Sequence, residues 1–310
     1  MSGESDPGPA ADGPTAEDAS RPNESAPASG IAPLSADRRV AVARFLAVLE
    51  REYTTVLRTR SLLALALGFA VVVVGLASVA GTTGYVPTVL NLLTAVEVLV
   101  PALAVAFGYE AVLGDRARGE LDVIRTYPLD RRAYLLAVYA GRATGLLFAV
   151  LVPLFLVAAL VAATGGAKTS VIASHTGADS VVLYVRFVVL TALLALVALA
   201  VAVAVSAAAG GPRSAAALGV GAVFALVVGV DLAIVAGIGI AFPPAARPVV
   251  LAFSPTGAYR GLVLGSVLDV ALAAAPSAGA PLLSLVGLFA WLVGALGLAV
   301  LAVAPAGSRR

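Results

Sequence analysis

Two carboxylic acids stand inside apolar stretches of this sequence. Glu97 lies near the middle of residues 89–109, and Asp231 lies within residues 214–241. A charge at the centre of a bilayer costs roughly 2.5–3.5 kcal/mol, so both acids are expected to face protein or water. Such acids can hold a proton or line a substrate path, or they can be hydrogen-bonded ties between helices. Pro101 cannot donate to the carbonyl of Glu97, which predicts a kink beside this acid.

The sequence offers few groups for covalent or metal chemistry. It contains no cysteine, and His175 and Met1 are its single histidine and methionine. Disulfides, thiol catalysis and soft-metal sites are therefore not expected, and we predict no metal and no copper in this chain. His175 is expected to be solvated in a loop. An intramembrane protease is not supported, because the sequence has no His-Glu-x-x-His zinc motif and no cysteine, and its one histidine lies outside the predicted spans.

ATP hydrolysis is not expected from this chain either. Its one lysine, Lys168, lies in TGGAKTS, which lacks the glycine that precedes the lysine of a phosphate-binding loop. We therefore predict a protein that is not an enzyme and holds no cofactor. The bases lie beside apolar runs rather than on one soluble face, so nucleic-acid binding is not predicted.

A dense segment of mixed charge, residues 109–132, interrupts the apolar chain. Its first part, 109–127, has helical character, with Arg116 and Glu120 forming an opposite-charge pair four residues apart. A narrow apolar edge consists of Leu113, Leu121 and Ile124, and Pro128 ends the helix. An ordinary solvated loop needs only bases, whereas mixed charge around an apolar strip is typical of a helix that docks on another protein.

The positions that hold these residues follow from composition. The chain of 310 residues is 60% hydrophobic and only 12% charged, about half the charged fraction of soluble domains. Apolar runs of about 20 residues or more are long enough to cross a bilayer as helices. We predict an all-α polytopic membrane protein with six spans, at residues 61–80, 89–109, 134–163, 181–209, 214–241 and 281–304.

The other segments differ in composition. Residues 1–37 lean acidic and are rich in Pro, Ser, Ala and Gly, which predicts a retained, disordered tail. Residues 38–60 repeat apolar residues at helical spacing, which predicts an amphipathic helix in the membrane interface, or a plain lead-in helix. Residues 242–280 carry proline, glycine and charge, so they are interpreted as an external re-entrant or interfacial segment. Residues 306–310 form a short tail.

The distribution of basic residues predicts the orientation. With the amino terminus in the cytoplasm, one side collects fifteen arginines, and the other only Lys168, Arg186, Arg247 and Arg260. Because cytoplasmic loops are enriched in bases, both termini are expected in the cytoplasm of a multi-pass protein of the cell membrane. The segment 109–132 is then a cytoplasmic loop between spans two and three.

The stretch YEAVLGDRARGELDVIRTYPLDRRAYLLAVYAGR resembles the signature of permeases of the type-2 ABC exporter family. The matching residues are Glu110, Gly119, Leu121, Pro128, Arg131 and Gly141. Within that family, permeases of nitrous-oxide-reductase maturation systems are most similar, and SPTGAYRGLVL at 254–264 resembles a stretch they carry before the last span.

This resemblance implies that residues 61–305 form a six-helix permease domain that acts as a homo- or hetero-dimer. Two cytosolic ATPases would bind the ATP and grip the loop between spans two and three. Leu113, Leu121 and Ile124 are expected to face that partner inside a polar rim that includes Arg116. Leu121→Asp would then uncouple the complex, whereas Arg116→Ala would do little. The substrate would pass along the subunit interface, and Glu97 and Asp231 are the candidate path residues. The alternative is a proton-coupled secondary transporter that uses these two acids.

Overall fold

The computed structural model describes most of the apolar part of the chain. The described residues are 46–52, 54–55, 58–79, 84–117, 131–164, 179–229, 232, 252–271 and 281–303. The helices that they form are α1 (Arg60–Val79), α2 (Tyr85–Gly108), α3 (Leu113–Ala117), α4 (Arg131–Ala163), α5 (Val181–Ala208), α6 (Pro212–Phe224), α7 (Pro255–Val263) and α8 (Pro281–Ala302). Helix α6 continues as a π-turn at Ala225–Gly229, and α7 continues through Leu264–Leu268 and Asp269–Ala271.

Among the described residues, six helical stretches are long and apolar enough to cross a membrane. They are α1, α2 with α3, α4, α5, α6 with its π-turn, and α8. The predicted all-α polytopic membrane protein with six spans is thus confirmed. The predicted bounds lie within about four residues of the observed ones, with two exceptions. The second span continues through α3 to Ala117, and much of the predicted fifth span, 214–241, lies beyond Gly229, where only Leu232 is described.

Helix α5 forms the centre of the bundle. It is apolar around its whole circumference, which is typical of a helix with neighbours on every side. It packs against α2, α4, α7 and α8. Its contact with α2 is close, because a Cβ added at Gly108 would lie 2.6 Å from the Cβ of Ala202.

The two ends of the bundle differ in charge. We call the end where α2 finishes and α4 begins the arginine-rich end, and the end where α2, α5 and α8 begin the opposite end. At the opposite end, the carboxylate of Asp179 accepts backbone hydrogen bonds from Tyr85 (3.0 Å) and Val86 (2.7 Å). These bonds satisfy two of the unpaired N–H groups with which α2 begins.

Helix α7 begins part-way along the bundle. The indole of Trp291 donates to the carbonyl of Phe253 (2.8 Å), and Trp291 lies about 15 Å along α8 from the opposite end. Arg186, about 8 Å from the start of α5, donates to the carbonyl of Ser266 (3.0 Å). Helix α7 therefore runs from mid-bundle towards the opposite end, buried against α5 and α8. This is the described part of the segment predicted to be re-entrant or interfacial.

The N-terminal segment, by which we mean the described residues between 46 and 59, is mostly helical. It belongs to the predicted amphipathic helix 38–60, whose position in the membrane interface remains a prediction. The acidic tail 1–37 and the tail 306–310 lie outside the described residues, as does His175.

Candidate functional sites

A buried carboxylate joins the charged segment to the rest of the bundle. Asp115, on α3, is only 1% exposed. Its Oδ2 accepts a 2.8 Å hydrogen bond from Nη2 of Arg51 and a 2.6 Å bond from the hydroxyl of Tyr134. Arg51 belongs to the N-terminal segment, and Tyr134 belongs to the first turn of α4. One side chain therefore connects three separate parts of the chain.

A second buried carboxylate, that of Glu52, extends this arrangement. Glu52 is 3% exposed and accepts a 2.8 Å bond from Nε of Arg142 and another from Arg51. Arg142 also donates to the carbonyl of Phe107 (2.9 Å), near the end of α2. We call Arg51, Glu52, Asp115, Tyr134 and Arg142 the charge cluster.

The opposite charges of the charge cluster compensate one another. Burial lowers the pKa of Arg51, but the carboxylates of Asp115 and Glu52 more than offset this effect, so its pKa is raised above the ordinary value. Arg51 is consequently charged at every physiological pH. Removing one member of such a buried group leaves its partner uncompensated, which is strongly destabilising. The N-terminal segment is therefore a fixed part of this end.

Glycine allows the N-terminal segment to approach α4 closely. A Cβ added at Gly141 would lie 2.5 Å from the Cβ of Glu52 and 3.0 Å from the carbonyl oxygen of Leu49. Any larger residue at 141 must displace the segment or the helix. Gly141 is one of the positions that carry the resemblance described above, and its neighbours here explain why a small residue is needed.

The start of the charged segment is also bonded to the end of α5. The backbone N–H groups of Val112 and Leu113 both donate to Oγ of Ser206, at 3.0 and 3.1 Å. The guanidinium of Arg116 donates to the carbonyls of Ala207 (3.0 Å) and Ala209 (3.1 Å). These carbonyls are among the last of a helix and lack intrahelical partners, so Arg116 acts as a C-terminal cap of α5.

These contacts correct two expectations. Leu113 does not face a partner, because it is 4% exposed and packs against Ala209 and Ala215. Arg116 is not a free rim charge, because it caps α5. Helical spacing had placed Leu113 on one edge with Leu121, but the turn at 109–112 brings it against α5 and α6 instead.

The remaining predicted coupling residues divide into two groups. Glu110 and Arg131 are exposed at the arginine-rich end, on either side of the charged segment. Four further positions lie outside the described residues, namely Gly119, Leu121, Ile124 and Pro128. Their role in binding a partner remains a prediction.

A second candidate site lies at mid-bundle. Glu97 is 4% exposed and about 18 Å along α2 from Tyr85. Its Oε2 accepts a 3.0 Å bond from Nε of Arg260 and a second bond from Nη2 of the same arginine. The pair connects α2 to α7. Among the described residues, Glu97 therefore forms a tie between two helices, which is one of the two roles that the sequence left open for this acid.

Hydroxyl groups fix α7 around this pair. The hydroxyls of Thr191, on α5, and Tyr259 are 2.9 Å apart, and both residues are fully buried. Thr256 donates to the carbonyl of Leu226 (3.0 Å), in the π-turn that follows α6. Helix α7 is thus held from three sides, by α2, α5 and α6.

Sequence reasoning missed Arg260 as a partner of Glu97. It had counted Arg260 with the bases of the opposite end, whereas its guanidinium lies at mid-bundle. The available signal was an arginine inside an apolar helix, which needs a counter-charge as much as Glu97 does. The other candidate path residue, Asp231, lies outside the described residues.

An apolar groove runs between α2 and α6, with a volume of about 600 Å³. Val98 and Ala102 line it from α2, and Val220 and Phe224 line it from α6. Val98 directly follows Glu97, so the groove ends beside the ion pair. Within the described ranges, no group of three or more His, Cys, Asp or Glu side chains is placed to hold a metal ion.

Together, the six apolar helices of the described residues, the charge cluster at one end and the ion pair at mid-bundle define a multi-pass helical membrane protein. Residues 46–304 match the family model described as ABC-2 family transporter protein. The chain belongs to this family, which confirms the resemblance to permeases of type-2 ABC transporters.

Curated relatives are similar over part of the chain. It is 35% identical over 112 residues to the probable ABC transporter permease protein NosY of Stutzerimonas stutzeri. It is 36% identical over 112 residues to the protein of the same name from Pseudomonas aeruginosa. Each match covers 34% of this chain and 41% of the relative, so less than half the length of these relatives is matched.

Proposed function

We propose that this chain is the membrane-spanning permease subunit of an ABC transporter. It would move its substrate by alternating access, powered by a separate ATPase subunit that binds the ATP. Family membership over residues 46–304 and the six membrane helices support this function. The observation that carries it is the position of Asp115, which ties the start of the charged segment to α4 and to the N-terminal segment.

The arginine-rich end would face the cytoplasm. Fifteen of the arginines are assigned to that side by sequence, and membrane proteins place most of their basic residues there. The segment 109–132 is then accessible to a cytosolic ATPase, and Leu121 and Ile124 are its candidate apolar anchors. Such anchors usually dominate binding, while surrounding charges such as Glu110 and Arg131 tune rate and specificity.

Movement of the charged segment would pass directly into the membrane helices. Residues 112–117 bond to Ser206 and to the last carbonyls of α5, and Asp115 bonds to Tyr134 of α4. A displacement of α3 therefore cannot be absorbed locally without breaking buried hydrogen bonds. An ATPase that pulls this segment would move α4 and α5 with it. The chain needs no covalent chemistry or cofactor of its own for this task.

The substrate path would run along the interface with a second permease subunit, identical or different. Glu97 and Asp231 are the candidate acids on that path. The alternative function, a proton-coupled secondary transporter, is favoured by the mid-bundle depth of Glu97. A carrier of that kind would have to release Arg260 from Glu97 in each cycle, and it would need no ATPase.

The test is co-purification of the ATPase with the permease, together with ATP hydrolysis by the reconstituted complex. Leu121→Asp is expected to abolish both while the permease still inserts in the membrane. Leu121→Met is the matched control, because it keeps an apolar side chain of similar volume. If Leu121→Asp retains both properties, the segment is a solvated loop. Transport that follows an imposed proton gradient without any ATPase would support the alternative.

A further inference from the structure

Arg260 is exposed where a membrane protein should not expose a charge. Its side chain is 50% exposed, although the carboxylate that it binds is buried at mid-bundle. A guanidinium facing hydrocarbon at that depth is costly, and such residues normally face water or a polar partner. The face of the bundle that carries Arg260 is therefore covered by something polar.

The residues around Arg260 fit this conclusion. Thr94 and Asn91 are exposed about one and two turns before Glu97 along α2, on the side of Val98. Gly261 is exposed beside Arg260 on α7, and no atom of the described residues lies within 4 Å of a Cβ added there. Amide, hydroxyl and backbone groups offer hydrogen bonds here, and the adjacent glycine leaves room for a ligand.

Only part of the hydrogen-bonding capacity of the Arg260 guanidinium is used by Glu97. Nε and Nη2 both donate to a single oxygen of Glu97, and Nη1 has no hydrogen-bond partner among the residues that the structure describes. Arginine carries five N–H donors in a planar fork that matches the oxygens of phosphate, sulfate and carboxylate groups. One edge of the fork is held by Glu97, and the edge formed by Nη1 is directed elsewhere.

One end of the apolar groove lies next to Glu97 along α2. Val98 lines the end of the groove next to Glu97, and Val227 and Val228 of the π-turn line the same end. The π-turn in turn contacts α7 through the bond between Leu226 and Thr256. An oxyanion site and an apolar groove are therefore neighbours on one face. The groove volume is within the range of small-molecule sites.

We propose that Arg260 binds the oxyanion of an amphipathic substrate whose apolar part occupies the groove between α2 and α6. This inference rests on the proposed function and names the substrate class of that transporter. Glu97 is then a positioning residue, because it orients the guanidinium and competes with the substrate oxyanion for it. Exchange of the arginine between Glu97 and the substrate requires no covalent step.

Direct binding of decyl phosphate tests this proposal. The full chain is placed in phosphatidylcholine nanodiscs, and binding of ³²P-labelled decyl phosphate is measured after subtraction of its partitioning into empty nanodiscs. Arg260→Gln is expected to weaken binding at least tenfold, whereas Arg213→Gln, at an exposed arginine of the arginine-rich end, should leave it unchanged. Decyltrimethylammonium is the charge control, and its binding should not depend on Arg260.

Glu97→Gln gives a result of opposite sign. Glutamine keeps a hydrogen-bond acceptor for Arg260 but removes the competing charge, so decyl phosphate should bind severalfold more tightly. A purely structural ion pair predicts unchanged or weaker binding. This variant keeps the proposal falsifiable if Arg260→Gln fails to fold.

A third variant tests the groove. Ala102→Phe fills it and should weaken the binding of decyl phosphate, and an excess of inorganic phosphate should compete only weakly because it lacks the apolar part. Equal competition by inorganic phosphate, at matched concentration, would contradict the amphipathic substrate.

The proposal is overturned if Arg260→Gln binds decyl phosphate like the unmodified chain, or if Glu97→Gln fails to tighten binding. It is also overturned if Arg260→Gln changes the mass of the permease assembly without changing binding, since the face would then be a subunit contact. An intact ATPase complex without anion binding would refute this inference alone. Arg260-dependent binding in a chain that recruits no ATPase would refute the proposed function alone.

Discussion

The hydroxyl of Tyr134 donates a 2.6 Å hydrogen bond to the carboxylate of Asp115, nineteen residues earlier in the chain. Asp115 precedes most of the charged segment, and Tyr134 follows it. The bond therefore joins the two ends of this segment at one point of the bundle. Helix α3 and the first turn of α4 are therefore held together directly.

Asp115→Asn is expected to loosen this contact. Asparagine can still accept a hydrogen bond from Tyr134, but it loses the charge that compensates Arg51. Because Arg51 is partly exposed, we expect a loss of about 1–3 kcal/mol rather than the full effect of breaking a buried pair. The thermal unfolding temperature in nanodiscs and the rate of ATP hydrolysis by the complex should both be lower.

Glu110→Gln is the control for that change, since Glu110 is an exposed acid of the same segment. It should alter stability by no more than about 0.5 kcal/mol. Equal stability of the Asp115 and Glu110 variants would show that the buried carboxylate does not hold this end together.

Arg116→Ala is expected to free the start of the charged segment from α5. The change removes two hydrogen bonds to the carbonyls of Ala207 and Ala209, and because Arg116 itself is exposed, the effect is limited to about 0.5–1 kcal/mol. Hydrogen exchange at residues 112–117 should become faster, and coupling to the ATPase should fall. Arg131→Ala, at an exposed arginine, should leave the hydrogen exchange at residues 112–117 unchanged. Unchanged exchange in the Arg116 variant would argue against the cap.

Gly141→Val is expected to separate the N-terminal segment from α4. The new Cβ would clash with the Cβ of Glu52 at 2.5 Å, so the bond between Glu52 and Arg142 should be lost as well. Faster hydrogen exchange at residues 46–52 would report the separation. Gly68→Val is the matched control, because no atom lies within 4 Å of a Cβ at Gly68. Similar exchange in both variants would show that Gly141 is not a contact glycine.

Gly287→Ala is expected to destabilise the contact between α8 and the start of α7. Its Cβ would lie 2.2 Å from the carbonyl oxygen of Ala252, so the backbone must shift, at a cost of about 1–3 kcal/mol. Gly294→Ala, in the same helix, meets no atom within 4 Å and should not lower stability, since alanine favours helices. The measurement is the thermal unfolding temperature of the two variants. A Gly287 variant as stable as the unmodified chain would be inconsistent with this packing.

Helix number and approximate bounds could be predicted from the sequence, because crossing a bilayer imposes a minimum apolar length on each segment. Predicted spans such as 61–80 and 281–304 lie close to the observed Arg60–Val79 and Pro281–Ala302. The charged segment could be located for the same reason, since its charges cannot remain in hydrocarbon. The free-energy cost of placing Glu97 in the membrane could also be predicted, because it depends only on the residue type and its depth.

The partners of these residues were decided only by the tertiary structure. Glu97 and Arg260 are 163 residues apart, and Arg51 and Asp115 are 64 apart, so no local spacing relates either pair. By residue type and helical spacing, Leu113 was expected to share an exposed apolar edge with Leu121. The turn at 109–112 instead buries it against Ala209 and Ala215. Composition and depth determine which side chains need a partner. Which partner each one finds depends on how the helices pack, because a hydrogen bond forms only between groups that the fold brings within about 3 Å.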